Sequence, residues 1–374
     1  MHDHFRFYPA FFHLFGNAIL VWAISNVHAE GHQMSGASNI EYQFMTKNLY
    51  YSGPISDHYD GVRFFNPGQP STDRGLKDIL KWRRTGYTQQ WPKQVAVRVA
   101  FPLSRSKNIR VTMVGHATLL IQVGDLNILT DPVWSERTSP VSFVGPKRVT
   151  EPGISFDRLP QIDVVLLSHN HYDHLDISTI KQLVNAFNPL IVTPLGNDVI
   201  IKKEIATARV ITGDWEDRIM IGSSASVTIT RANHWSNRGL WDRRMALWSS
   251  FMIDTSKGRV WFGGDTGYGD GSIFKEIYTR YGAPDLALIP LGGYEPRWFM
   301  SSQHVDPSEA VQIYKDLNAK YAIGIHWGTF QLTDEGREAP RQELGSALTQ
   351  AGIEQSCFIA AEPGEVFEFP SESK

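Results

Sequence analysis

From about residue 109 onward, apolar residues come in short runs broken by glycine, proline, asparagine and aspartate. Short apolar runs bounded by turn residues predict strands. They fall at 111–123 and 126–130, joined by Gly124-Asp125 as a hairpin turn, and at 164–168, 190–193, 209–212, 226–231, 248–254, 260–263, 286–290, 322–325 and 358–360. Between them, apolar positions at helical spacing predict helices over 177–186, 307–319 and 341–351, with a shorter helical piece at 78–84. The helix at 307 carries its own start signal. Asp306 serves as N-cap, Pro307 takes the first helical position, and Glu309 completes a capping box. Gly352 closes the helix before it. Some strands form hairpins and others lead into helices, which predicts an α/β fold with two mixed sheets face to face and helices outside. Residues 30–108 break this pattern: rich in Gly, Pro, Tyr and Asn, they predict an irregular segment wrapped on a main domain at 109–370.

Composition narrows the field. With 374 residues, 42% hydrophobic and 20% charged, the chain can bury a large core and is not disordered. A net charge of −3, with both signs mixed along the chain, leaves no basic stripe for nucleic acid. Cys357 is the only cysteine, which excludes an intramolecular disulfide and a cysteine-rich zinc site. Any metal must therefore be held by histidine and carboxylate. Residues 11–27 are mostly apolar, follow Arg6, and precede the polar His28-Ala29-Glu30-Gly31. This reads as a signal peptide over 1–29, with Val27-x-Ala29 as cleavage site, or as an uncleaved membrane anchor. The stretch is short for a membrane span. The chain is thus expected to be exported, and periplasmic or membrane-associated, in a bacterium.

The chemistry concentrates after the strand at 164–168, in Ser168-His169-Asn170-His171-Tyr172-Asp173-His174-Leu175-Asp176. Three imidazoles and a carboxylate in a His-x-His-x-Asp-His pattern predict a metal site. In an extended loop residues two apart face the same way, so His169 and His171 grip one ion while Asp173 and His174 turn toward a second. His234, Asp265 and His326 each follow another predicted strand, and loops at one sheet edge converge. Seven ligands suit two ions. The natural division gives His169, His171 and His234 to one and Asp173, His174 and His326 to the other, with Asp265 bridging. Imidazole and carboxylate together suit Zn²⁺ first, with Mn²⁺ or Fe as alternatives. Two such ions serve hydrolysis. Asp131, before Pro132, is either a carboxylate behind a ligand histidine or a turn residue. His116 either approaches the cleft or packs, and stays unassigned. The glycines in Gly267-Tyr268-Gly269-Asp270-Gly271 are expected to let the backbone approach the ions. The segment from Gly292 to Met300, then Gln303-His304, supplies an Arg, an amide, an imidazole and apolar groups that could hold a phosphate beside acyl chains, or could be a structural loop packed by aromatics.

The ligand pattern resembles the metallo-β-lactamase fold, whose members are αββα sandwiches with a binuclear metal cleft. Longer stretches are similar to one branch, the N-acylphosphatidylethanolamine-hydrolysing phospholipases D. They include Val114-Gly115-His116-Ala117-Thr118, Gly145-Pro146-Lys147-Arg148, Asn233-His234-Trp235-Ser236, Gly264-Asp265-Thr266-Gly267-Tyr268, Tyr294-Glu295-Pro296-Arg297-Trp298-Phe299-Met300, Gln303-His304-Val305-Asp306-Pro307 and Ile325-His326-Trp327-Gly328-Thr329-Phe330. The resemblance runs from about residue 50 to about 335. It implies two Zn²⁺ held as above, with Gln303 and His304 beside the substrate phosphate and Arg297, Trp298, Phe299 and Tyr268 as further substrate contacts. The implied reaction releases N-acylethanolamine and leaves phosphatidate, with Asp173 or a water supplying the leaving group's proton. A phospholipid or other amphiphilic substrate and a membrane surface are the expected partners, and nucleic acid is not. The oligomeric state stays open, a homodimer included. Two other functions compete: a lactonase or other small-substrate hydrolase on the same fold, and a non-catalytic metal-binding envelope protein.

Overall fold

The computed structural model describes residues 47–369, so the apolar stretch at 11–27 lies outside the described residues. Among those described, no helix is long and apolar enough to cross a membrane. The first sheet begins as an antiparallel meander of β1 (Ile109–Gly115), β2 (Thr118–Val123) and β3 (Leu126–Thr130). It continues through parallel β4 (Val164–Leu166), β5 (Leu190–Pro194) and β6 (Arg209–Gly213). In the second sheet, β7 (Arg218–Met220), β8 (Ser226–Thr230), β9 (Ser250–Thr255) and β10 (Gly258–Phe262) are antiparallel. There β11 (Leu286–Pro290), β12 (Tyr321–Ile325) and β13 (Phe358–Ala360) follow in parallel. Finally β14 (Val366–Phe369) returns to cover the β1 edge of the first sheet, antiparallel to it.

The alternation of side chains along each strand builds three apolar layers. Leu119, Ile121, Val164, Leu166, Phe251, Ile253 and Leu288 face inward and meet between the sheets. Their neighbours Leu120, Val165 and Ile191 face outward, where α2 (Ile177–Phe187) covers them with Ile180 and Leu183, and α3 (Asn197–Glu204) with Ile201. On the far side Met252, Trp261 and Ile289 lie under α4 (Ser272–Tyr281), α6 (Pro307–Asp316) and α7 (Ala339–Ala351). The result is the expected helix–sheet–sheet–helix sandwich.

The structure departs from the apolar pattern where that pattern is silent. The run 111–123 is two strands, because Gly115 (φ 149°) and His116 (φ 56°) reverse the chain inside it. The turn at Gly124-Asp125 forms as expected, with both residues at positive φ. Short elements, namely β7, β14, α3 and α5 (Arg297–Met300), carry too few periodic positions to stand out, and α4, though ten residues long with Ile273, Phe274 and Ile277 on its buried face, was not predicted. Asp306 caps α6 and Glu309 closes the box, and Gly352 ends α7 in the left-handed region.

Residues 47–108 contain one helix, α1 (Leu76–Thr85), which buries Ile79 and Trp82 against Phe299 and Met300. His58 ties this segment to the connection between β6 and β7: its ring bonds Asp57 at 2.6 Å and Asp214 at 2.8 Å and stacks on Trp215 at 4.4 Å. Burial opposes a charge on His58, but the two carboxylates outweigh it and raise the pKa above 6.5. A raised folded pKa contributes stability in full below the unfolded value, about 6.5, and loses it as pH rises through the folded value. The stability gap between the parent and His58→Gln is therefore expected to narrow as urea unfolding is repeated from pH 6 toward higher pH. A gap that widens with pH would contradict this.

Candidate metal centre

The strand ends deliver the side chains. The loop leaving β4 carries His169, His171, Asp173 and His174 before Asp176 caps α2, accepting from the Ser178 and Thr179 amides. A turn, with the His174 and Leu175 amides donating to the His171 carbonyl, folds Asp173 and His174 back beside His169. His234, Asp265 and His326 follow β8, β10 and β12 at the same sheet edge. There they converge.

His169 Nε2 is 2.9 Å from His171 Nδ1, which is 3.2 Å from His234 Nε2. This triad could hold one metal ion. Asp173 Oδ2 is 3.4 Å from His174 Nε2, 3.3 Å from His326 Nε2 and 2.9 Å from His116 Nε2, a second group able to hold an ion. Asp265 Oδ2 stands between the groups, 3.1 Å from His174 Nε2, 3.2 Å from His326 Nε2, 3.7 Å from His234 Nε2 and 3.8 Å from His169 Nε2.

The donor set fits metal on its own chemistry. A ligand histidine is oriented through its other ring nitrogen, and that holds for four of the five histidines expected as ligands, His116 aside. His174 Nδ1 meets Asp131 Oδ2 at 2.6 Å, His234 Nδ1 meets the Gln303 carbonyl at 3.0 Å, and His326 Nδ1 lies 3.3 Å from the Gly292 carbonyl. His169 Nδ1 meets Ser168 Oγ at 2.9 Å, and that hydroxyl donates to Asp131. Asp131 is therefore behind the ligands and not merely a turn residue. His174 Nε2, turned toward Asp265 Oδ2, is buried without a hydrogen-bond partner, and so is Asp265 Oδ1.

Protonation follows burial and neighbours. Burial pushes His171 and His234 down to about 3, and takes His169 well below its usual value with help from the adjacent rings. These three present neutral imidazoles, as metal ligation requires. For His174 and His326 burial also disfavours charge, but Asp265 and Asp173 outweigh it, raising His174 well above its usual value and His326 to about 9. The same pairs overcome burial to hold Asp173 and Asp265 well below the carboxylate range.

Beside the centre opens a cleft of about 140 Å³, lined by His171, Asp173, Asp265 and His326 and by Trp235, Arg238, Met300, Gln303 and His304. Residues 126–327 match the Beta-lactamase superfamily domain, more than half of the chain. The chain belongs to that superfamily. It is a metal-dependent hydrolase. It is 38% identical over 268 residues to the Caenorhabditis elegans N-acyl-phosphatidylethanolamine-hydrolyzing phospholipase D 1, covering 69% of this chain and 75% of that one. A Saccharomyces cerevisiae N-acyl-phosphatidylethanolamine-hydrolyzing phospholipase D, mitochondrial, is 32% identical over 66% of this chain and 53% of its own length, so the match spans about half of the yeast protein. In fold the chain is similar to an isothiocyanate hydrolase from Delia radicum gut bacteria, with a TM-score of 0.55, 18% identity, and coverage of 70% of this chain and 100% of that one.

In this superfamily member Gln303 and His304 line the cleft, but the four residues expected to contact substrate alongside them do not. Arg297 is committed elsewhere: its guanidinium donates to the His304 carbonyl at 2.8 Å and to Glu309 at 2.6 Å, and lies 3.3 Å from Asp306. It locks the start of α6 to the His304 loop. Trp298 is 39% exposed, with the Lys81 ammonium 4.2 Å from its ring centroid. Phe299 is buried against Trp82 at 4.9 Å. Tyr268 donates to Asp316 at 2.8 Å and stacks on Phe274. The Gly292–Met300 segment is thus mostly the packed structural loop, and Met300 and Gly293 are its contributions to the cleft.

The glycines of 267–271 also act differently from expectation. A Cβ at Gly267 would fall 2.7 Å from the Ser302 backbone, so this glycine lets the chain lie against Gln303. Gly264 (φ 57°) is the one packed on the ligand loop, where a Cβ would lie 2.7 Å from the Ser168 Cβ. His116, left open between approaching the cleft and packing, is brought to Asp173 by the β1–β2 turn, and one residue was missed: Arg238, which donates to the Asn170 and Leu175 carbonyls. His116 had a readable signal in the glycine before it; Arg238 had only its place shortly after His234.

Proposed function

We propose that this hydrolase is a zinc phosphodiesterase acting on N-acylphosphatidylethanolamine-type phospholipids. His169, His171 and His234 would hold one ion, Asp173, His174 and His326 the other, and Asp265 would bridge. The observation that carries the reading is Asp265 Oδ2 lying within 3.8 Å of imidazoles from both groups. Bound there, two ions supply Lewis acidity, ionising water near neutral pH and neutralising charge that develops on phosphoryl oxygens. Imidazole and carboxylate donors favour zinc, with manganese or iron as alternatives. The similarity to the C. elegans and yeast phospholipases D supports the lipid class.

The remaining roles belong to the chain. Gln303 and His304 orient the phosphate in the cleft, where Gln303 Oε1 and His304 Nδ1 are buried without a hydrogen-bond partner. Asp173, a carboxylate among three histidines, acts as ligand and not as the leaving group's proton source. Water oxygen bonds to phosphorus, the bond to the N-acylethanolamine oxygen breaks, and that oxygen takes a proton from water. An amphiphilic substrate places the enzyme at a membrane surface, a placement that export or anchoring through residues 11–27 would serve.

The test is incubation of the zinc-loaded protein with N-acylphosphatidylethanolamine vesicles in ¹⁸O-water. The expected products are N-acylethanolamine and phosphatidate, with the label in phosphatidate. Turnover of lactones with none of the lipid would overturn the proposal in favour of a small-substrate hydrolase.

A further inference from the structure

Of the five histidines assigned to the two ions, four are oriented by a hydrogen bond at the ring nitrogen turned away from the centre, and His171 is not. Its Nδ1 faces His169 and His234, and its Nε2 is buried without a hydrogen-bond partner. An imidazole without that bond can rotate about its Cβ–Cγ axis unless packing prevents it. Packing is what His171 has. The Trp235 ring lies 4.4 Å away, nearly perpendicular at 70°.

Trp235 is in turn held from a distance. Its own ring nitrogen has no partner, but the Arg243 guanidinium sits over its face, 3.7 Å from the centroid. At that separation the ring quadrupole attracts the cation, and exclusion of water strengthens the attraction. The guanidinium is fixed by residues 72–73, donating to Asp73 Oδ1 at 2.9 Å and to the Thr72 carbonyl at 2.8 Å. Arg244 approaches the other Asp73 oxygen at 3.2 Å, and Arg63 donates to the Arg243 carbonyl. A few residues upstream, Asn66 donates to the His234 carbonyl at 2.9 Å and accepts from Trp248 at 3.0 Å. The segment preceding the sandwich thus buttresses the loop that carries one triad of the centre.

We propose that Asp73, Arg243 and Trp235 form a clamp that sets the ring plane of His171, which makes Arg243 and Trp235 positioning residues for one of the two ions. The inference rests on the ligand division given under the proposed function. It assigns a metal-tuning role to residues 72–73, outside both the sandwich and the ligand loops. The two ions should respond unequally when the clamp is loosened, because His174 and His326 in the second group keep their own hydrogen bonds.

The test is metal titration of the full chain, read as affinity for each equivalent and, with cobalt(II), as the visible absorption of each site. Trp235→Leu and Arg243→Met are expected to weaken one equivalent about tenfold or more, the range seen when a residue supporting a ligand is lost. The other equivalent should be unchanged. Trp235→Phe and Arg243→Lys should recover much of the loss. Asp73→Asn acts from a half-exposed carboxylate and leaves ring and cation in place; it should give the same selective weakening in smaller degree. Thermal unfolding of the metal-free variants checks the fold. Unchanged affinity for both equivalents in Trp235→Leu would overturn the clamp, as would equal weakening of both with a matching loss of metal-free stability. Failure of the unaltered protein to take up two equivalents would count against the ligand division instead, and lipid turnover plays no part in the readout.

Discussion

Asp265→Asn is expected to lower kcat/KM by about a thousandfold or more and to release at least one metal equivalent. The substitution keeps the shape of the side chain and removes its charge. Asp265 Oδ2 lies within 3.2 Å of His174 and His326 and within 3.8 Å of His169 and His234, so one carboxylate serves both groups. It is almost wholly buried, where charges interact more strongly than in water. A neutral amide can bridge two cations only through a single weak oxygen and leaves their mutual repulsion uncompensated. Charge stabilisation by bound ions contributes several kcal/mol to such reactions, and each 1.4 kcal/mol is about tenfold in rate. Steady-state kinetics with metal analysis of the same sample checks the expectation. Activity within tenfold of the parent, with both equivalents retained, would contradict a bridging role.

The second large effect is on stability. Phe251→Ala is expected to cost about 3–5 kcal/mol, the range for an aromatic truncated in a close-packed core. Phe251 is fully buried in the middle layer, on the inward face of β9, parallel to the Phe262 ring at 6.4 Å. Strands from both sheets pack around it, so neither can collapse into the space without disturbing its own pairing. Urea unfolding at fixed metal content gives the difference. A loss below about 1 kcal/mol would mean that the middle layer repacks.

The layered fold was legible because the inner strands are short continuous apolar runs bounded by turn residues, buried on both faces, as Leu119, Leu120 and Ile121 are. Reading 111–123 as one run misled: Gly115-His116 interrupts it and reverses the chain. The clustered histidines and aspartates were legible for a separate reason. Each is a histidine or aspartate just past an apolar strand, and a sheet carries such ends to one edge. Chemistry that depends on where a long side chain goes was not legible. Arg297 has the right type and neighbourhood for a phosphate, but Glu309 and Asp306, placed there by the α6 capping box, take its guanidinium instead. Trp298, Phe299 and Tyr268 follow the same logic, since tertiary partners far along the chain decide where each ring lies. The contribution of Asp73 and Arg243 was hidden for the opposite reason: neither follows an apolar strand or sits in a ligand motif, and only the fold brings them to Trp235.

The central claim is that two ions share this centre through Asp265. Crystals of the zinc-loaded protein, measured on either side of the zinc absorption edge, test it most directly. The account predicts two anomalous peaks, one among His169, His171 and His234 and one among Asp173, His174 and His326, each within bonding distance of Asp265. A single peak, or two peaks with Asp265 bound to neither, would contradict it.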